Sequence, residues 1–429
     1  MRPGARLAAA IEVLDAIDGE GRPADLIVRD YFKSRRYAGS KDRRAVGELV
    51  FGVLRRRGEL DWRLASAGLE AFNRLRVLLF ARMNDVATSF GGPHDPEQPS
   101  SEEQEKLTQS AGLDLDTAPP SARLNFPAWL EPQLADSFGP DWQARAGAAL
   151  AGRAATDLRV NRLKQDRDSV LDHLCADGIE AEPFWLAPDA IRLQKPVRLE
   201  DHPLYRSGVI EIQDAGSQFV GHLLGARAGE TVADICAGAG GKTLLIAAGM
   251  QNDGRLIASD VDPKRLSRLE ARAARAGATC VETHHVAADA PWPAEWIGRM
   301  DRVLIDAPCS GTGTWRRQPD QRWKFTQERL TELCGIQSAV LDRACELVRP
   351  GGRLLYVTCS FLRAENETAV TEFLERTPQF HPVSREELAR DVSIPAAFAE
   401  PGIHPWFSLS PHDHGVDSFF AAVLTRALR

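Results

Sequence analysis

Apolar and polar positions follow two rhythms along this chain, and the rhythm changes near residue 206. From Arg6 to about Ala67, "LAAAIEVLDAI" and "AVGELVFGVLRRRGELDWRL" place apolar residues at helical spacing and predict amphipathic helices. Further on, "PAWLEPQLADSFG" predicts a short helix closed by Gly139. "DLRVNRL" and "AIRLQ" read as strands on either side of a helix in "DSVLDHLCADG". Beyond residue 206, "TVADICA", "RLIASD", "DRVLIDA" and "RLLYVTCS" are short aliphatic runs, each followed by a turn and a helical segment. Strands apolar on both sides and separated by helices predict a parallel sheet covered on both faces. "DSFFAAVLTRA" alternates around two aromatics and is expected to close that sheet as an antiparallel strand.

The expected fold class is therefore α/β, a Rossmann-like sheet with helices on both faces. Four stretches are expected: a helical domain over 1–90, a polar linker or loop over 91–120, a small α+β module over 121–205, and the α/β domain over 206–429. The linker reading rests on "GGPHDPEQPSSEEQEKLTQSAGLDLDTAPP", which is rich in Pro, Ser and Glu and poor in aromatics.

Composition narrows the class. At 43% hydrophobic and 26% charged, the 429 residues are those of an ordinary globular protein. No apolar run approaches the roughly 20 residues that span a bilayer, and acids interrupt "MRPGARLAAAIEVLDAIDGEG" too early for a signal peptide. No membrane partner and a cytoplasmic location are expected. The seven cysteines include no C-x-x-C pair, which argues against a disulfide framework and a zinc site. "SPHDHG" lacks the further ligands that a metal would need. The net charge of −7 does not exclude nucleic acid, because "KSRRYAGSKDRR", "VLRRRGELDWR", "LRVNRLKQDR" and "TWRRQPDQRWK" are locally basic.

Candidate chemistry begins at "DICAGAGGKT", which follows a strand and opens a helix. A P-loop would need glycine where Cys236 stands, and a dinucleotide fingerprint would need its third glycine at Thr243, so both fail. What remains is a glycine-rich bend that lets backbone approach a bulky ligand. Asp260 ends the next run and suits the two hydroxyls of a ribose. Asp289, at the expected end of a third strand, could reach an adenine amino group. A nucleoside cofactor without a pyrophosphate fits these positions, which points to S-adenosylmethionine.

Asp306, Cys309 and Cys359 end two further strands at the same edge. Cys175, Cys280, Cys334 and Cys345 read instead as small buried hydrophobes. Methylation of oxygen or nitrogen needs no thiolate. Carbon 5 of a pyrimidine does, because addition of a thiolate to carbon 6 turns the ring into an enamine that accepts the methyl group at carbon 5. Asp306 could hold the ring nitrogen that gains charge, and the base must leave its stack to enter. Spacing alone does not tell which cysteine attacks.

"DICAGAGGKT", "ASDVDPKRL", "LIDAPCSGTGTWRRQPDQRW" and "YVTCSFLRAENE" resemble the RNA 5-methylcytosine methyltransferases of the Sun/RsmB-like family. The resemblance extends through "LRVNRLK", "IQDAGSQFV" and "SPHDHGVDSFFAA", and "ELVFGVLRRRGELDW" resembles a NusB-like RNA-binding domain. It implies that Cys359 is the nucleophile and that Cys309 assists release of the methylated base. It also implies that Cys236, Ala237, Gly238, Ala239, Gly240, Gly241, Lys242, Asp260, Asp289 and Asp306 line the S-adenosylmethionine site, with Arg265 beside Asp260. The family loop usually reads Ala-Ala-Pro-Gly-Gly-Lys; the missing proline is expected to loosen the bend without abolishing binding. Ser418 stands where glycine is common. The implied substrate is RNA rather than DNA, with small-subunit ribosomal RNA favoured over transfer RNA. The rival reading is an RNA-binding ribosome-assembly factor with a vestigial pocket. Arg316, Arg317 and Arg322, with Trp315 and Trp323, are expected to grip RNA, the alternative for the two tryptophans being a place in the core.

Overall fold

Six helices open the chain: α1 (Pro3–Gly19), α2 (Ala24–Ser34), α3 (Ser40–Arg55), α4 (Arg57–Ser66), α5 (Asn73–Met83) and α6 (Ser101–Ala111). In α3 the buried side chains are Val46, Leu49, Val50, Val53 and Leu54, the spacing of one helical face. They share a core with Leu7, Leu14, Ile17, Leu78 and Leu79. The run read from the sequence as one helical stretch breaks at Arg56, whose ψ of 14° separates α3 from α4.

The computed structural model describes residues 1–399 and 404–428. These form two units: unit 1 holds 1–152 and 315–327, unit 2 holds 153–314 and 328–429. Within the stretch read as a linker lies α6. Ser100 Oγ accepts the Glu103 N–H at 3.1 Å, and Glu103 Oε2 accepts the Ser100 N–H at 2.9 Å, a capping box that starts the helix. Glu103 also pairs with Arg74 at 2.9 Å, and Leu107 is buried. So few apolar residues leave the helix invisible to a reading by composition.

Three of the five residues expected to grip RNA are taken up by the interior of unit 1, while Arg317 stays exposed. Trp315 and Arg322 are each only 1% exposed, in the interior of unit 1. Arg322 donates to the carbonyls of Asn125 at 2.6 Å and Leu150 at 2.9 Å, and Trp323 Nε1 donates to Leu54 O at 2.9 Å. Trp315 meets Phe325 edge-on at 5.7 Å. The arginine fork and the indole N–H satisfy carbonyls inside the unit, so Trp315, Arg322 and Trp323 are structural here.

Unit 2 contains two sheets. The first is β1 (Thr156–Val160), β2 (Ala181–Pro183), β3 (Ala190–Leu193) and β4 (Ile210–Ile212), in the order β2-β3-β1-β4, antiparallel throughout. The second comprises β5 (Thr231–Asp234), β6 (Arg255–Asp260), β7 (Val281–His285), β8 (Met300–Asp306), β9 (Val348–Thr358), β10 (Phe380–Pro382), β11 (Phe407–Leu409) and β12 (Phe419–Arg426). Its order is β10-β12-β9-β8-β5-β6-β7, with β11 beside β12. β5 to β9 run parallel, and β12 pairs antiparallel with β9. Leu304, Leu355 and Val357 enter one core, while Val303, Ile305, Leu354 and Tyr356 enter the other. Both faces of β8 and β9 are thus buried, which is why these runs are apolar without interruption. From β5 the chain passes to β6 and β7, then returns to β8 on the other side of β5. That reversal opens a crevice at the carboxyl ends of the strands. Among the described residues no helix is long and apolar enough to cross a membrane.

Candidate cofactor and catalytic site

Asp234 ends β5, and the chain then bends through Cys236–Gly240 into the helix Gly241–Gly249. Gly238 and Gly240 take positive φ, +55° and +85°. A Cβ at Gly240 would stand 2.6 Å from the Leu269 side chain, so this position needs glycine. At Gly238 an added Cβ would meet nothing nearer than 4.0 Å, so this part of the loop is open.

Two arginines hold the loop by its carbonyls. Arg272 donates to Ala239 O at 2.6 Å, and Arg159, 2% exposed, donates to Gly241 O and to Gln213 at 2.6 Å. Arg272 also pairs with Glu211 at 2.8 Å. The bend therefore gains from outside the rigidity that the missing proline would have lent it.

Asp260, buried at the end of β6, accepts Gly238 N–H on Oδ2 and Asp262 N–H on Oδ1, both at 2.8 Å. Each oxygen keeps a lone pair for a ribose hydroxyl. Arg265 is more than half exposed, with Nη1 4.0 Å from Asp260 and Nε 3.7 Å from Asp262. Asp289 does not end a strand: β7 stops at His285, and Asp289 lies exposed in the following turn. That turn is tied to Arg343 through the carbonyls of Ala288 and Ala290. Lys242, 6% exposed, pairs with Asp306 at 2.8 Å, and its ammonium lies 5.6 Å from the Phe419 ring centroid.

Asp234 is buried and bonded by Thr243 Oγ1 at 2.7 Å on one oxygen, while its other oxygen has no partner. Burial, with Asp306 and Asp260 nearby, pushes its carboxyl up to about 7. Burial and the same acids push the Cys236 thiol far up, so it is no nucleophile. The open glycine bend, the paired lone pairs of Asp260 and the excess of acids fit a cationic nucleoside such as S-adenosylmethionine.

Cys309 and Cys359 follow the ends of neighbouring strands, and their sulfurs are 3.4 Å apart. The hydrogen bond with Cys359, then burial, push the Cys309 thiol well above its ordinary value. A dense polar network surrounds the pair. Thr312 Oγ1 bonds Ser360 Oγ at 3.0 Å, and Gly313 N–H donates to Cys359 O at 3.0 Å. A Cβ at Gly313 would lie 2.2 Å from Ser418 O, so only glycine fits.

The remaining cysteines divide. Cys280 is buried as expected, Cys334 and Cys345 are partly so, and Cys175 is exposed. The helix Arg167–Ala176 buries Val170 and Leu174, which turns Cys175 to the opposite face. Residues not anticipated from the sequence are Arg159, Arg272, Thr243, Glu365 and Asn366. The "AENE" run so soon after Thr-Cys-Ser was the one available signal for the last two; the arginines lie far from the loop in sequence.

A family model described as 16S rRNA methyltransferase RsmB/F matches residues 222–425, and one described as a RsmF/B-like ferredoxin-like domain matches 126–200. The ribosomal RNA small subunit methyltransferase B of Citrobacter koseri is 33% identical over 361 residues, covering 79% of this chain and 83% of that one. The crystal structure of PH0851 superposes with a TM-score of 0.78 at 25% identity, covering 99% of each chain. That of NSun6 from Pyrococcus horikoshii with SFG has a TM-score of 0.61 at 19% identity, over 71% of this chain and 99% of that one, and shares the fold. With a relative of that identity covered over most of its length, the chain belongs to the RsmB/F family of S-adenosylmethionine-dependent methyltransferases.

Proposed function

We propose that this protein methylates carbon 5 of a cytidine in RNA, through a covalent adduct between Cys359 and carbon 6 of the base. The observation that carries the reading is the pair of sulfurs 3.4 Å apart at the strand-end crevice that also holds Lys242 and Asp306. The Citrobacter koseri relative is a ribosomal RNA small subunit methyltransferase, and we take the same substrate class here. The helices of 1–90 are assigned the role of a NusB-like RNA-binding domain.

S-adenosylmethionine, when bound, supplies an electrophilic methyl group. The glycine bend and Asp260 hold its nucleoside part, with Asp289 at the adenine side and Arg265 as a peripheral charge. Asp306, salt-bridged by Lys242, presents a lone pair to an N–H of the extruded base. Cys309, its thiol pushed well above the ordinary value, keeps its proton and stands within hydrogen-bond distance of the Cys359 sulfur, which makes the attack. Cys359 Sγ bonds to carbon 6, and electron density moves to carbon 5, which would take the methyl group as the donor's S–CH3 bond breaks and a neutral thioether leaves. Carbon 5 then loses its proton to solvent, the C6–Sγ bond breaks, and the departing thiolate is received by the Cys309 S–H.

The test follows tritium from the labelled methyl donor into RNA from cells lacking the protein, with a denaturing gel for adducts. Wild type should yield 5-methylcytidine, Cys359→Ala none, and Cys309→Ala a trapped protein–RNA band. Methylation of carbon 5 by Cys359→Ala would overturn the nucleophile, and a different methylated nucleoside would overturn the reading.

A further inference from the structure

The segment after the second cysteine loop carries two adjacent buried polar residues that the mechanism does not use, Glu365 at 0% and Asn366 at 4% exposure. Glu365 reaches the other cysteine. Its Oε1 accepts the Ser310 N–H at 2.8 Å and its Oε2 the Ser310 hydroxyl at 2.5 Å. Gln337 Nε2 bridges the same carboxylate, at 3.0 Å, to Pro308 O at 2.9 Å. Cys309 is thereby bracketed on both sides. Asn366 does the same for Cys359: Oδ1 accepts the Thr358 hydroxyl at 2.5 Å, and Nδ2 donates to Ser360 O at 3.0 Å. Tyr356 OH fixes the backbone of the segment through Glu365 O at 2.8 Å.

A buried carboxylate is costly, and hydrogen bonds alone satisfy this one; no lysine or arginine pairs with it among the described residues. A glutamine could make comparable bonds, so the presence of an acid here calls for a further reason. The Cys309 thiol is raised first by the Cys359 hydrogen bond and by burial, with Glu365 adding to them; burial leads for Cys334 and Tyr356, with Glu365 next.

We propose that Glu365 and Asn366 are positioning residues that set the separation of the two thiols, and that the charge of Glu365 assigns the shared proton to Cys309. The inference rests on the adduct reading for its kinetic arm only. Two adjacent residues of one segment, each bracketing one cysteine, keep the sulfurs within hydrogen-bond distance while the base enters.

The test is limited alkylation of the full-length protein by iodoacetamide across the range in which thiols ionise, resolved by peptide mass spectrometry, beside methyl-transfer kinetics and Tm. In wild type, Cys359 should label at lower pH than Cys309; the reverse order would overturn the proton assignment. Glu365→Gln should lower the labelling midpoint of Cys309. An unchanged midpoint in a folded variant would remove the charge from the proposal. Glu365→Asp keeps the charge but shortens the reach: the labelling order should stay as in wild type, while kcat falls about 10-fold at unchanged KM for the methyl donor. Wild-type kcat in both Glu365→Asp and Asn366→Asp would overturn the positioning role. Labelling requires no RNA, so a product other than 5-methylcytidine would sink the adduct reading and leave these arms standing.

Discussion

Two loops at the carboxyl ends of one sheet are built on opposite plans. The bend Cys236–Gly240 is held from outside, by Arg272 on Ala239 O and by Arg159 on Gly241 O at the start of the next helix, with two glycines in the left-handed region and an open inner surface. The cysteine loops are held from within, by Glu365, Asn366, Thr312 and Ser360, with side-chain hydrogen bonds on almost every residue. A loop that binds by its backbone must leave that backbone free and can borrow its stiffness from distant charges. A loop that reacts through one side chain needs its own neighbours locked, because a displacement of an ångström at a nucleophile costs rate directly.

The comparison can be broken most severely at Gly313, where the two cysteine loops touch. Gly313→Ala would push a methyl group into Ser418 O, and a loss of about 3 kcal/mol in chemical denaturation with near-total loss of transfer is expected. Gly240→Ala strains the binding loop through its positive φ and Leu269. We expect about 2 kcal/mol of destabilisation and weaker methyl-donor binding by calorimetry. Arg272→Ala removes the external clamp on Ala239 together with one of the ion pairs to Glu211. The methyl-donor Kd should rise a few-fold, roughly 1 kcal/mol, at unchanged kcat, whereas a drop in kcat alone would contradict the contrast.

The smallest effect concerns Asp234. Its carboxyl is raised from the ordinary 3.8 to about 7, so between those values the folded chain binds a proton that the unfolded chain does not. Stability contributed by this group is complete below 3.8 and is lost as pH rises through about 7. Asp234→Asn should flatten that slope and raise Tm in mildly alkaline buffer by about 2–4 °C; an unaltered slope would refute the assignment.

Much of this site was legible in the sequence because its parts sit at strand ends, where an apolar run stops and chemistry begins. Asp260, Asp306, Cys309 and Cys359 all lie at such boundaries, and the closing strand was marked by the alternation in "DSFFAAVLTRA". Apart from the Ser100-x-x-Glu103 spacing that starts α6, what escaped had no local signature. The helix α6 stabilises itself by a capping box and charge pairs on a nearly all-polar surface. Arg322 looks like a surface residue by type, yet long-range carbonyls draw it inward, whereas Trp315 took the core alternative that its type left open. Asp289 followed the strand pattern in sequence, but β7 ends four residues earlier.

The chain order of the helical unit has a consequence for synthesis. Its residues Trp315–Gln327 are translated after most of unit 2. At about 5–20 residues per second, the first 152 residues wait roughly 10–35 s for Trp315, Arg322 and Phe325 to leave the ribosome. Until then, the carbonyls of Asn125, Leu150 and Leu54 lack the donors that later satisfy them. Nor can the unit be shuffled between proteins as one uninterrupted cassette, since its last piece is encoded inside its neighbour.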